Sequence, residues 1–518
     1  MAERALENID LDKQWRQWGD NARNASIPSR RTEAVNNLRK SCKSPSAGAK
    51  NSALFETQAS NRDEAVHNGR PLSLGGTDLF LYHRVFHDFQ LKLRRPLQSA
   101  NLTLDDFKAA TVFIERSTRF YPTKTDRHYD IGPPLEAFLG ENALTELGRY
   151  SATVSHSPDG SQTAVCGLYK PLDPGYRTML KLISEVRNGI GLGDCCPTEQ
   201  AEKAYQLTCI DSTLDDLRHC SCMPAFILAI AGPHVSVSGA IFVNGVAISQ
   251  RITPFTSLVP PLASLSTTPG FEANEMGFVT AGTQHVAEIA LLLKSLRECL
   301  DGLGTYYRDM RRPTRPDELS PAPCFPSYEA NDGVTLHRDG QAGPPASSRP
   351  LPDARAKNER TVKLRYLSRI PERRMSFVAE ANGGGETGTR CVVKFVHRSG
   401  KEAHEFMYER GVAARLMHCQ REASVGDLFV VITEYIDETK DAKASQDGIT
   451  KLRDALEGLH EAQFVFGDLR RVNMLVDSTG QPRLIDFDWS GPDGQMRYPH
   501  DLNTTDVAWP EGARPWGS

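Results

Sequence analysis

Polar and apolar positions divide the chain into stretches of different character. Residues 1–70 are polar, with short apolar patches only, and read as a largely disordered, solvated segment carrying one or two loose helices. From Leu79 the apolar density rises. LFLYHRVFHDFQLKL (79–93) and LTLDDFKAATVFIERSTRFYP (102–122) repeat apolar residues at helical spacing, the second after an N-cap-like Thr103. Residues 162–193 change to a strand pattern, QTAVCGLYK and RTMLKLISEVRN around the turn PLDPGY, followed by a Gly-rich exit. One or two helices follow from Pro197. Two strand segments then flank Asn244-Gly245, a strong hairpin signal. The run 282–307 predicts a helix with Ile289, Leu292, Leu293 and Leu296 on one stripe. Residues 308–360 are loaded with Pro, Gly, Ser and charge and predict an extended linker.

After that boundary the strand pattern returns. KLRYLSRI and RRMSFVAEA predict strands, Gly383-Gly384-Gly385 a turn, and Cys391–Val396 an apolar strand with Lys394 inside it. EAHEFMYERGVAARL (402–416) predicts a helix, ended or interrupted at Gly411, whose Glu402, Glu405 and Glu409 share one face. LFVVITEYID (428–437) is an apolar strand running into Glu434-Tyr435-Ile436. A helix with Ile449, Leu452, Leu456 and Leu459 on one stripe then leads into Phe464–Asp468.

Composition narrows the options. The apolar fraction of 39% leaves room for unfolded linker, and 518 residues suffice for two or three domains. With 61 basic and 65 acidic residues the net charge is −4, which gives no push toward nucleic acid or membrane. Arg30, Arg31, Arg39, Lys40 and Lys43 make the N-terminal segment locally basic, so a nucleic-acid partner is open there, although a solvated tail is the plainer reading. MAERALENIDLDKQW lacks the apolar core of a secretory signal, and no run of 18 apolar residues predicts a membrane span. Eleven cysteines occur without a CxxC pair, as expected of free thiols in a reducing, intracellular compartment. His83 and His87 are four apart, but with no acidic third ligand nearby they read as structural.

The chemistry concentrates near the end of the chain. In LHEAQFVFGDLRRVNMLVDSTGQPRLIDFDWSG (459–491), Asp468 and Asn473 are five positions apart and Asp486 follows thirteen later. This spacing resembles the catalytic loop D-L-x-x-x-N and the metal-binding D-F-G of the protein-kinase-like superfamily. The resemblance implies ATP and Mg²⁺ as cofactors, with Lys394 on the nucleotide phosphates, Asp468 orienting or deprotonating the acceptor hydroxyl, and Asn473 and Asp486 on Mg²⁺. Arg470 would help to neutralise the transferring phosphoryl group. One helix glutamate, Glu405 by preference, would pair with Lys394, and backbone groups of Glu434 and Ile436 would hold adenine. The sequence also departs from the pattern. Phe466-Gly467 precedes the loop aspartate, which is closer to the H-G-D of aminoglycoside- and choline-phosphotransferase-like enzymes. D-F-G is Asp486-Phe487-Asp488, no G-x-G-x-x-G precedes Lys394, and 32 residues follow Asp486 without A-P-E, of which 496–518, rich in Pro, Gly and Trp, read as an irregular tail. A large N-terminal α/β region, a linker and this ending together resemble crinkler-type effector proteins, in which nuclease-like and kinase-like modules are fused.

A second constellation is Glu185-Val186-Arg187 at a strand end, which resembles the E-x-K of the PD-(D/E)xK nuclease fold. Here the basic residue is Arg187, Asp159 and Asp173 are the upstream aspartates at hand, and Gln200 and Tyr205 loosely match a Q-x-x-x-Y with one residue too many. The expected architecture is α+β and multidomain: a mixed α/β domain over 71–307 and a minimal protein-kinase-like domain over 361–518. The expected function is phosphotransfer to a protein Ser/Thr hydroxyl, on a protein substrate or partner of unknown identity and away from membranes. The alternatives are a pseudokinase acting as a binding or scaffold module, and a metal-dependent nuclease centred on Glu185.

Overall fold

Both helices and sheets form from this sequence, an α+β arrangement. The computed structural model describes residues 27–60, 62–139, 165–169, 179–192, 195–260, 281–310, 325–326, 334–337, 359–370, 375–383, 386–437 and 443–498. They divide into two units, Ser26–Ser327 and one built on Tyr328–Ser518. Asp159, Asp173, Gly384-Gly385, most of the expected linker and residues 499–518 lie outside the described residues.

In the first unit, α1 (Ile27–Ser41), α2 (Val85–Leu93), α3 (Leu104–Ser117) and α4 (Lys124–Leu139) precede the hairpin β1 (Val165–Tyr169) and β2 (Met179–Arg187). Helix α5 (Pro197–Ile210) crosses over to β3 (Ala225–Ala231), which pairs parallel with β2. Strands β4 (His234–Val243) and β5 (Val246–Arg251) continue antiparallel through the Asn244-Gly245 turn, and β6 (Thr256–Ser257) pairs with β4. Helix α6 (Ala281–Asp309) closes the unit with Ile289, Leu292, Leu293 and Leu296 buried, as their spacing predicts. All seven residues of β3 are buried, so helices must cover both faces. Phe226 meets the rings of Phe86 and Phe89 from α2, each at 5.3 Å between centroids.

The expectation of a disordered segment to residue 70 is corrected over its described part. Val35, Leu38, Ala49, Ala53, Ala65 and Val66 are buried, and His67 joins β5 by exchanging backbone bonds with Ala247 and Ser249. Those apolar residues come singly and complete a core built elsewhere, so no local periodicity marks them. The stretch 79–93 is broken, a short turn at Leu79–Leu81 preceding α2. Helix α3 stops at Ser117 rather than running to 122. It does start at Thr103, whose side chain accepts from Asp106 N while Asp106 Oδ2 accepts from Thr103 N. His83 is half-buried and edge-on to Tyr306 at 4.4 Å, a structural placement.

Helix α5 is buried nearly all round, including Glu199, Glu202 and Lys203. Arg70 pairs with Glu199 at 2.7 Å, Asn68 Nδ2 donates to Glu202 at 2.7 Å, and Lys203 donates to Glu64 O at 2.5 Å. Burial, reinforced by the Glu199 charge, lifts the Glu202 carboxyl from 4.5 to about 7. The folded chain then holds this proton more tightly than the unfolded one, so the associated stability is full below pH 4.5 and is lost as pH rises through 7. Denaturant unfolding should show wild type losing roughly 2–3 kcal/mol more than Glu202→Gln between pH 5 and 8. Equal pH slopes in the two proteins would contradict this.

In the second unit, one six-stranded antiparallel sheet has the order β11-β12-β10-β9-β8-β7. Its strands are β7 (Val334–His337), β8 (Glu359–Arg369), β9 (Ser376–Gly383), β10 (Glu386–Val396), β11 (Leu416–Glu422) and β12 (Leu428–Glu434). The linker expectation is thus corrected at Val334–His337, a strand registered on Glu359–Val362. Helix α7 (Lys401–Glu409) follows β10. It ends earlier than the sequence pattern, because Gly411 takes φ +67 and its N–H returns to Tyr408 O at 2.7 Å. Helix α8 (Gln446–Glu461), capped by Ser445, buries Leu452, Ala455, Leu456 and Leu459. Short strands β13 (Phe464–Phe466), β14 (Met474–Val476), β15 (Pro482–Leu484) and β16 (Ser490–Pro492) pair as β13-β16 and β14-β15. Ser490–Pro492 forms a strand on Phe464–Phe466, and the irregular tail expected over 496–518 lies outside the described residues from 499 onward. Beneath this end lies one apolar cluster that includes Ala403, Met407, Val412, Leu456, Leu459, Phe466, Leu484 and Phe487.

Candidate functional site

Strand β10 carries Lys394 into the second unit, flanked by β9 and β12. A lysine there would be destabilising without an anionic partner. It has two: Nζ lies 2.6 Å from Asp486 Oδ1 and 2.7 Å from Asp488 Oδ2. Burial pulls the Lys394 pKa down, but the Asp486 and Asp488 charges outweigh it and leave the ammonium above its ordinary value. Asp488 moves the other way: burial, together with the Asp486 charge, outweighs Lys394 and lifts its carboxyl to about 6. Asp486 takes φ +70, a left-handed conformation uncommon outside glycine. Strained residues of this kind persist where the surroundings over-determine them, often at functional sites.

Asp468 and Asn473 flank the turn between β13 and β14. Asn473 is buried, and its Nδ2 donates to Asp468 Oδ2 at 2.7 Å and to Asp468 O at 3.0 Å. Ile485 N donates to Asn473 O at 2.9 Å, which sets Asp486 beside this turn. Arg470 grips Asp468 with both arms of its fork, Nη2 to Oδ2 at 2.7 Å and Nε to Oδ1. The hydrogen bond to Asp468 raises the Arg470 pKa further. Arg470 was expected to face the transferring phosphoryl group; in this structure its guanidinium is engaged by Asp468.

Gly467 explains one departure from the expected motif. A Cβ there would stand 2.5 Å from Trp489 O, and the Gly467 N–H donates to that same oxygen at 3.1 Å. Tyr498 OH closes the other side on Gly467 O at 2.9 Å. Larger residues do not fit where the β16 end crosses the loop. Gly467→Ala should lower stability by about 1–3 kcal/mol, read as a fall in thermal midpoint. A midpoint equal to wild type would show that the crossing yields freely.

The glutamate expectation is corrected. Glu402, Glu405 and Glu409 are all exposed, and Glu405 pairs with Lys401 at 3.8 Å. The inward face of α7 carries Ala403, His404 and Met407. The His404 ring stacks on Phe487 at 4.1 Å and 9°, with Nε2 2.8 Å from Ala414 O. Burial lowers its pKa to about 4, so the ring is neutral at physiological pH. Its place facing the D-F-D segment follows from its spacing with Ala403 and Met407 on the apolar stripe of the helix, the one sequence signal for it.

The segment after β12 is placed as follows. Glu434 Oε1 accepts from Arg415 N at 2.8 Å, and Glu434 N donates to Arg415 O at 3.0 Å. The Glu434 side chain therefore ties β12 to the chain entering β11. Ile436 is half-buried beyond the strand end. As to a metal, the oxygens of Asp486 and the amide oxygen of Asn473, turned away from Asp468 by its Nδ2 bonds, are hard donors of the kind Mg²⁺ takes. Among the described residues, no group of three or more His, Cys, Asp or Glu side chains is gathered as a metal site by itself, so a metal here would need oxygens from a ligand.

In the first unit, Glu185 ends β2 fully buried. Lys124 Nζ lies 2.6 Å from its Oε1 and Arg187 Nε 3.2 Å, while Arg187 also reaches Gln200 and Cys195. Burial lifts the Glu185 carboxyl to about 7 against both cations. Tyr205 OH is bound to Met223 O at 2.8 Å within the core. Both cations meet Oε1, while Glu185 Oε2 is buried without a hydrogen-bond partner among the described residues. Nine cysteines with described side chains are free thiols. No described helix is long and apolar enough to cross a membrane. No protein-family model matches this chain, and neither does any curated protein.

Proposed function

We propose that the second unit is an ATP- and Mg²⁺-dependent phosphotransferase of the protein-kinase-like superfamily, with a protein Ser/Thr hydroxyl as acceptor. The observation that carries this reading is the Lys394 ammonium held 2.6 Å from Asp486, across 92 positions of sequence. The chain path supports it: a lysine strand, a helix, two strands, a linking segment, a helix, and a polar loop ending at Asp468 and Asn473. Lys394 would meet the phosphates, and Asp486 and Asn473 the metal. The Asp468 carboxylate would accept the acceptor's proton as its oxygen bonds to phosphorus and the nucleoside diphosphate leaves. Bound Mg²⁺ would neutralise charge on the phosphates. Positioning and preorganised charge would provide most of the rate. Ile436, just past β12, is the residue whose backbone would meet adenine.

The bidentate Arg470–Asp468 pair favours one second reading, a nucleotide-binding pseudokinase, because Asp468 must leave that clamp to take a proton. One assay separates them. The purified chain is incubated with labelled ATP and Mg²⁺ beside Asp468→Asn. Transfer in wild type that is lost in the variant supports the enzyme. A thermal shift with ATP but no transfer supports the pseudokinase, and neither shift nor transfer sinks both.

A further inference from the structure

We propose that Asp488 is the positioning carboxylate of Lys394, in the role that the protein-kinase-like resemblance gives to a helix glutamate. The purpose of this pairing rests on the phosphotransfer reading; the pairing itself does not. Three placements argue for it. First, all three glutamates of α7 point to solvent, and the nearest inward residue, His404, offers a ring that stacks on Phe487. Phe487 lies between Asp486 and Asp488 in the chain, so the helix faces the segment that holds Lys394 with a ring and not a carboxylate. Second, Asp488 Oδ2 is 2.7 Å from Nζ, beside Asp486 Oδ1 at 2.6 Å. Third, one ammonium facing two carboxylates leaves a surplus negative charge. If Asp486 is committed to a metal, Lys394 still needs an anion in a site where its side chain is 17% exposed, and Asp488 supplies it. The third position of the motif is then an aspartate because the anion has moved from helix to loop. A glycine there would leave Lys394 without a second partner.

The test uses the full-length chain and reads Lys394 directly. Trace acylation with acetic anhydride across pH, followed by peptide mass spectrometry, reports how readily Nζ loses its proton. Losing one carboxylate at salt-bridge distance favours the neutral amine, so Asp488→Asn should raise Lys394 labelling about tenfold. Asp488→Gly serves as a second variant should the first fold poorly, with the same expectation. Glu405→Gln should leave labelling unchanged. Adding His404→Glu to Asp488→Asn should return labelling toward wild type, which a merely structural role for Asp488 would not produce. In parallel, binding of a non-hydrolysable ATP analogue should fall in Lys394→Met and in Asp488→Asn, with a double variant no worse than Lys394→Met alone.

Unchanged labelling in both folded Asp488 variants overturns the pairing. Additive losses of analogue binding overturn its action through Lys394, and full labelling persisting with His404→Glu overturns the replacement of a helix carboxylate. If labelling behaves as expected but wild type binds no analogue, the phosphotransfer reading falls and the pairing stands. If wild type binds the analogue through Lys394 while Asp488 variants change neither readout, the reverse holds.

Discussion

Asp486→Asn should leave a folded chain whose phosphate transfer has dropped on the order of a thousandfold or more. Three features set this expectation. Asparagine has nearly the same volume and, like aspartate, tolerates the left-handed backbone, so φ +70 at this position is kept. Lys394 retains Asp488 at 2.7 Å, so the buried ammonium is not stranded. What disappears is the charge on the carboxylate that would face the metal and the developing charge of the transition state. Stability and activity should therefore separate, with a thermal midpoint within a few degrees of wild type and transfer near background. Transfer retained within about tenfold would remove Asp486 from the chemistry. Loss of folding would instead show that Asp486 holds Lys394 for stability.

The positions that carry this expectation were legible in the sequence because they are fixed by separations along a short segment. Asp468, Asn473 and Asp486 are joined by one turn and one hairpin, so local spacing determines where they meet. Lys394 was legible as an anomaly, a charge inside an apolar strand. Its partner was not. The three glutamates of α7 do share a face, as their spacing requires, but it is the face opposite Ala403, His404 and Met407. The apolar stripe of α7 is what turns the glutamates outward and puts His404 against Phe487. Arg470 has another reason. Its position two residues from Asp468 lets a long side chain fold back, and chain proximity alone cannot say whether it faces its neighbour or a ligand.

In the first unit the elements with their own periodicity were legible: the α6 stripe, the Asn244-Gly245 hairpin and the Thr103 cap. Residues 27–70 and Val334–His337 were not, for a shared physical cause. Each is stabilised by backbone or single side chains joining a partner distant in sequence, as when His67 pairs beside Ile248 or Val334 opposite Val362. Polar composition is a fair sign of disorder only when no such partner exists. Glu185 was legible as a strand-end carboxylate, yet Lys124, which meets it at 2.6 Å, lies 61 positions away with no motif linking the two.

The largest stability effect should come from a residue that no sequence pattern announced. Arg127 is 2% exposed, near the start of α4, where a cation gains nothing from the helix dipole. Its guanidinium is used four ways: Nε on Asn188 Oδ1 at 3.1 Å, Nη1 on Ser117 O at 2.8 Å and Gly232 O at 3.2 Å, and Nη2 on Arg119 O at 2.8 Å. It also stacks 4.7 Å over the Tyr121 ring. These acceptors belong to the end of α3, the chain after it, the exit from β2 and the β3–β4 turn, so one side chain ties four segments together. Ser117 is the last residue of α3, and its carbonyl would otherwise be one of the helix's unpaired acceptors. Burial lowers the Arg127 pKa, yet a guanidinium stays charged at any pH the fold survives. Arg127→Leu should therefore strand buried carbonyls as well as remove the stack, at a cost of about 3–5 kcal/mol. Arg127→Lys should recover only a minor part, because a single ammonium cannot span the positions that the planar fork reaches. Urea unfolding of the two variants beside wild type decides this. A loss below about 1 kcal/mol for Arg127→Leu would mean that water satisfies those carbonyls, and that the four segments are held by the packing of α3, α4 and β2 without it.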